Sequence, residues 1–122
     1  MSYWNAIVYD AALTIIKENV TKVFLNNLEI IDYTEAVETA LGSANYVLTD
    51  AEIIPRGDGG RVLVCPKILN GITLNSGIAR YYILTNGIDT VIAIGTLSFE
   101  LPLDIGDTWT TPEFNIIIPA VT

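Results

Sequence analysis

Residues 78–99 read IARYYILTNGIDTVIAIGTLSF. Two β-favouring runs, Ile78 to Thr85 and Thr90 to Phe99, flank Asn86-Gly87, and Asn-Gly between apolar runs favours a tight type I′ hairpin turn. Upstream, Arg61 to Leu69 alternates and reaches a second Asn-Gly at Asn70-Gly71. Tyr46 to Ile54 runs into Pro55-Arg56-Gly57-Asp58-Gly59-Gly60, whose residue types place it in a turn or loop tip. Downstream, Trp109 to Ile118 is the last run. Pro112 within it has no N–H to give to a ladder, so the first half of that run belongs at an edge or a bulge.

Lys22 to Asn26 gives one more strand, ending in the turn pair Asn26-Asn27. Helical spacing is confined to the N-terminal part, where Ala12, Leu13, Ile16 and Val20 recur within Tyr9 to Val20 and Asp10 stands as the expected N-cap. Asp32 to Ala40 reads as a crossing loop with a short helical turn, Thr34 as its cap and Gly42 as its stop. Short strands with turn chemistry between them and one convincing helix define a mainly β chain: an antiparallel β-sandwich or small barrel with one short N-terminal helix. Residues 1–8 read as an apolar arm and residues 9–122 as a single β-rich domain.

Composition excludes whole classes of chemistry. The chain has 122 residues, 51% hydrophobic and 16% charged, with no histidine and one cysteine. Without imidazole there is no Ser-His-Asp or Cys-His pair and no His-ligated metal. Cys65 alone permits no internal disulfide and no multi-cysteine cluster, which fits a reducing compartment, and its neighbours Val64 and Pro66 suit a buried small hydrophobe. A formal net charge of −8 disfavours a phosphate backbone as partner. Every basic residue lies at or before Arg80, whereas Asp89, Glu100, Asp104, Asp107 and Glu113 follow it. Met1-Ser2-Tyr3-Trp4-Asn5 lacks the basic and apolar regions of a secretory signal, and no apolar stretch reaches the roughly 18 residues of a membrane span. So apolar a composition then leaves a large core or a surface covered by other subunits.

The polar constellations have ordinary readings. Arg56-Gly57-Asp58 spells an integrin-recognised tripeptide, but Gly and Asp are standard turn residues. Asp104, Asp107 and Glu113 lack the dense alternation of a calcium loop. Glu100 with Asp104 or Asp107 is the one carboxylate set to test for glycoside chemistry, while Asp50 and Glu52 read as a solvated strand face. Gly57, Gly59 and Gly60 are not followed by the Lys-Ser or Lys-Thr of a phosphate-binding loop. No catalytic residue, metal site or cofactor is expected. The aromatic and apolar residues Tyr3, Trp4 and Ile7 of the arm, with Tyr82 and Trp109, are the interface candidates, since aromatic anchors dominate protein interfaces. Tyr81 and Tyr82 are adjacent in a strand, so one of them faces the core.

Gly60-Arg61-Val62-Leu63-Val64, then Ser76-Gly77-Ile78-Ala79-Arg80-Tyr81-Tyr82, then Gly106-Asp107-Thr108-Trp109-Thr110-Thr111-Pro112-Glu113-Phe114 onward to Pro119 follow one another in an order that resembles small all-β virion proteins of tailed bacteriophages. The Asp10-Ala11-Ala12-Leu13 helix and Tyr33-Thr34-Glu35-Ala36 fit the same scheme, so the resemblance spans nearly the whole chain. It implies a non-enzymatic capsid decoration or cement protein that binds the major capsid protein, with virion localisation and no nucleic-acid or membrane partner. A tail-associated adaptor or host-contact module is the alternative. Ile15-Ile16, Val23-Phe24-Leu25 and Ile30-Ile31 make the first half more apolar than the family's usual pattern, which implies a larger intersubunit surface. Three-fold sites on shells and the apolar composition together suggest a homotrimer.

Overall fold

A computed structural model describes residues 6–118, with side chains from Val8 onward. Among the described residues, two helices, α1 (Ala6–Asn19) and α2 (Tyr33–Glu38), accompany nine strands: β1 (Lys22–Asn26), β2 (Gly42–Asn45), β3 (Glu52–Pro55), β4 (Arg61–Cys65), β5 (Ile68–Thr73), β6 (Gly77–Thr85), β7 (Val91–Leu103), β8 (Thr108–Thr111) and β9 (Phe114–Ile118). Six of them form a curled antiparallel sheet in the order β7-β6-β1-β2-β5-β8, and three form a second antiparallel sheet, β3-β4-β9. The expected mainly β, antiparallel architecture with one short N-terminal helix is the one observed.

Two runs that the sequence draws as single strands are each divided at a proline. Arg61 to Leu69 becomes β4 in the small sheet and β5 in the large one, separated by Pro66 and Lys67; Trp109 to Ile118 becomes β8 in the large sheet and β9 in the small one, separated by Pro112 and Glu113. These two chains are neighbours on both sides of the break, with Cys65 opposite Phe114 and Ile68 opposite Thr111. Both therefore leave one sheet for the other at the same level, where each proline has no N–H to leave unpaired. The Tyr46 hydroxyl donates a hydrogen bond to the Pro66 carbonyl and ties the preceding loop to this corner.

Other departures have local causes. Tyr46 to Ile54 is not one strand, because the chain leaves the large sheet after Asn45 and joins the small one at Glu52. Asn70-Gly71 makes no hairpin: both residues lie within β5, at an irregularity between Ile68 and Gly71, with Asn70 at φ +59°. Asn86-Gly87 does join β6 to β7, through a longer turn than the expected two residues. The Asn86 Oδ1 accepts the backbone N–H groups of Ile88, Asp89 and Thr90 at 2.9–3.0 Å, and Gly87 takes φ +75°. Helix α1 begins at Ala6, inside the segment read as an arm, which places Asp10 within the helix rather than at its cap; the Asp10 carboxylate instead meets the Arg61 Nε at 3.0 Å. In α2 the cap is Asp32, not Thr34, its side chain accepting from the Glu35 N–H at 3.0 Å.

The core has two parts. Leu13 from α1 and Val20 just after it join Val23, Leu25, Leu48, Leu63, Cys65, Ile68 and Leu84 between the sheets. On the opposite face of the large sheet, Phe24 and Ile83 are covered by Ala36 and Ala40 from α2 and its exit. Strand β1 is thus buried on both faces, which explains why Val23-Phe24-Leu25 is a continuous apolar run rather than an alternating one. Helix α1 packs against β7 and β4, spanning from the edge of one sheet to the middle of the other.

Candidate functional site

The carboxylates singled out in the sequence do not converge. Glu100 is exposed on β7 and lies 3.6 Å from the Arg80 guanidinium. Asp104 and Asp107 flank an exposed turn closed by a 3.0 Å backbone hydrogen bond, and Glu113 lies in solvent at the proline corner. Asp50 precedes β3 and Glu52 opens it, both exposed. Among the described residues, no group of three or more His, Cys, Asp or Glu side chains is placed to hold a metal ion. Arg56, Gly57 and Asp58 form the tip between β3 and β4, where the Asp58 carboxylate accepts from the Gly60 N–H at 2.9 Å. The Asp89 carboxyl is held below its ordinary value by hydrogen bonds from the Asn86 amide and the Thr90 hydroxyl, a local property of the β6–β7 turn.

Two of the interface candidates turn inward. Trp109 is buried, with its indole N–H donating to the Ile72 carbonyl at 2.8 Å and its ring lying over Gly71 and Gly42; a Cβ on Gly71 would stand 2.1 Å from the ring. Tyr82 is also buried, and its ring lies across its register partner Gly95, where a Cβ would stand 2.0 Å away. Each large aromatic fills the space that a cross-strand glycine leaves open, so a glycine in a strand interior was the sequence signal for their burial. Tyr82 is therefore the core member of the Tyr81-Tyr82 pair, with Tyr81 half-buried. Tyr3 and Trp4 lie outside the described residues, as does the side chain of Ile7.

Tyr82 also forms the floor of a seam. Its ring centroid lies 4.4 Å from that of Phe114, which stacks with Tyr46 at 6.1 Å, and these rings surround the buried Cys65. Burial pushes the Cys65 thiol up to about 12 and the Tyr82 hydroxyl up to about 12, and raises Tyr46 above the usual tyrosine value. A cavity of about 250 Å³ opens over this cluster, between Leu97 and Phe99 of β7 and Pro112, Phe114 and Asn115 of the corner. At that point β7 bulges: Ala79 pairs with Leu101 but Tyr81 with Thr96, so extra residues loop out opposite Arg80. The cavity wall carries Glu113 and hydroxyls but no nucleophile paired with a base.

The larger feature lies at one end of the large sheet, where β1 and β7 finish and β2, β6 and β8 begin. Leu28, Ile31, Leu74, Ile78 and Ile105 are all exposed there, Ile31 to 83% and Ile105 to 68%. Hydrogen bonds fasten the loops that carry them: the Asn27 amide to the Ile78 carbonyl, the Asn75 amide to Ala40, the Leu74 N–H to Leu41 and the Ile105 N–H to the Ser76 hydroxyl. Of these five, only Ile31 was singled out in the sequence, within the apolar pair Ile30-Ile31. Large aliphatic side chains inside turn segments, as in Asp104-Ile105-Gly106-Asp107, were the available signal. No family model, curated protein or solved structure matches the chain.

Replacing Gly95 by Ala should destabilise the fold by about 1–3 kcal/mol through overpacking against Tyr82. Gly57→Ala, whose new Cβ meets nothing within 4 Å, should stay within about 0.5 kcal/mol of the parent. Urea denaturation of the two variants checks both values. A second expectation concerns alkali: the unfolded chain loses the Cys65 proton near pH 8.5 and tyrosine protons near 10, whereas the folded chain keeps those of Cys65 and Tyr82 to about 12. The folded state then binds more protons, and stability falls as pH rises through that window. Urea midpoints at pH 7 and pH 10.5 measure the loss, and Cys65→Ala should remove part of it.

Proposed function

We propose that this chain is a non-enzymatic structural protein of a bacteriophage virion, a decoration or cement protein that binds the major capsid protein in the assembled shell. The observation that carries the reading is the apolar surface of so small a scaffold: fourteen large hydrophobic side chains are exposed among the described residues. Scattered single exposures are normal on a monomer, but a fixed group such as that at the loop end marks a contact surface. The sequence resemblance to phage virion proteins supplies the assembly. A protein that binds only the assembled shell stabilises it by linkage, so cementing needs no reaction and no cofactor. Shell three-fold sites and shared burial of apolar surface make a homotrimer the proposed oligomer.

The test is the copy number of the chain relative to the major capsid protein in purified particles, by quantitative peptide mass spectrometry, with sedimentation of the isolated chain. A near-stoichiometric ratio is expected, with a trimer at micromolar concentration. A few copies per particle would overturn decoration and place the chain in the tail or connector, and a stable monomer would overturn the trimer.

A further inference from the structure

The loop end that exposes Leu28, Ile31, Leu74, Ile78 and Ile105 is edged by carboxylates, and the one cation on β6, Arg80, is already paired with Glu100 at 3.6 Å. Glu29, Asp32, Glu35, Glu38, Asp104 and Asp107 are all exposed on the same loops and on α2. No lysine or arginine occurs from residue 23 to residue 55, or from residue 81 to the end of the chain. Within this end, beside α2, lies a cavity of about 110 Å³ lined by Asn26, Leu28, Ile30, Glu35 and Thr39. Asn26 is 1% exposed, and its side-chain Oδ1 has no hydrogen-bond partner, while its Nδ2 reaches the Ala36 carbonyl at 3.4 Å. The Oδ1 is closed to solvent, so the exposed Glu35 carboxylate in the cavity lining is the acceptor open to a cationic donor from outside.

We propose that this end is a docking surface for a partner protein whose contacting face is apolar at its centre and lysine- or arginine-bearing around it, with one basic side chain pairing with Glu35 beside the cavity. The apolar residues provide the buried centre of the contact and the carboxylates its complementary rim. A second copy of the chain is a poor occupant, because it would bring two sets of the same six carboxylates together. Nucleic acid and anionic lipid are repelled for the same reason. The proposal goes beyond the capsid reading, since it fixes the face and the charge of what it binds whichever assembly the chain joins.

The test uses the full chain, ¹⁵N-labelled, titrated with two synthetic amphipathic helical peptides of equal length and identical leucine faces, one bearing lysine and the other glutamate on the polar face. The lysine peptide should shift the amides of Asn26, Leu28, Ile31, Glu35, Ile78 and Ile105, and the glutamate peptide should leave them in place. Glu35→Gln should weaken the lysine peptide by about tenfold, the value of one hydrogen bond to a charged group. The double variant Ile31→Ser, Ile105→Ser, altered only in solvent, should weaken it at least as much while keeping the parent spectrum elsewhere. Equal binding of the two peptides, shifts centred on the seam at Phe99 and Phe114, or the same shifts on raising protein concentration alone would each overturn the proposal. Binding of the lysine peptide with only a few copies per particle would leave this surface standing and remove the decoration reading.

Discussion

Two neighbouring strands change sheets side by side, and the rest of the molecule is arranged around that crossing. Pro66 and Pro112 each interrupt a run that would otherwise continue as one long strand, and they do so at matching levels, between the Cys65–Phe114 and Ile68–Thr111 pairings. A break in one strand alone would leave its neighbour's ladder groups without partners, which is costly in a buried position. With both broken together, the hydrogen bonding is interrupted once and resumes in the second sheet. The small sheet is thereby held by continuous chain over the concave side of the large one, and Leu63, Cys65 and Ile68 meet Leu13, Val23 and Leu25 in a shared core.

From this crossing follow both the seam and the loop end. The seam exists because β7, the far edge of the large sheet, comes round to the corner without pairing to it, and the Tyr82, Phe114 and Tyr46 rings fill most of the space beneath. Edge strands invite unwanted pairing, and the bulge opposite Arg80 distorts β7 where it would be most available. The loop end is at the opposite pole from the α1 C-terminus, anchored on the buried strand β1 and its neighbour β6. Its side-chain amides at Asn27 and Asn75 hold the loops to one another, so the apolar residues project from a fixed frame and a partner meets a surface already ordered.

Local signals carried most of the architecture. The Asn86-Gly87 turn, the β1 run and the strand content were legible because they depend on residue type within a few positions. Pro112 was legible as a break but not as a change of sheet, since that depends on Pro66, far away in sequence, standing beside it. Asn70-Gly71 misled because the same pair that makes a hairpin turn also permits a left-handed residue and a glycine under an aromatic ring, and Trp109 chooses between them from outside the window. The burial of Tyr82 and Trp109 was illegible for the same reason: they are matched to Gly95 and Gly71 by strand register, which no local pattern states. The exposed apolar end was hidden because its residues come from three separate loops and the start of β6, and each loop looks like an ordinary turn.

The paired proline crossing makes the two sheets one cooperative unit. Native-state hydrogen–deuterium exchange measures this directly, by comparing amides of β4 at the centre of the small sheet with those of β1 and β6 at the centre of the large one. A common opening free energy, equal to that of global unfolding, is expected. Exchange of Val62 to Val64 through a distinctly cheaper opening, with β1 and β6 still protected, would contradict it.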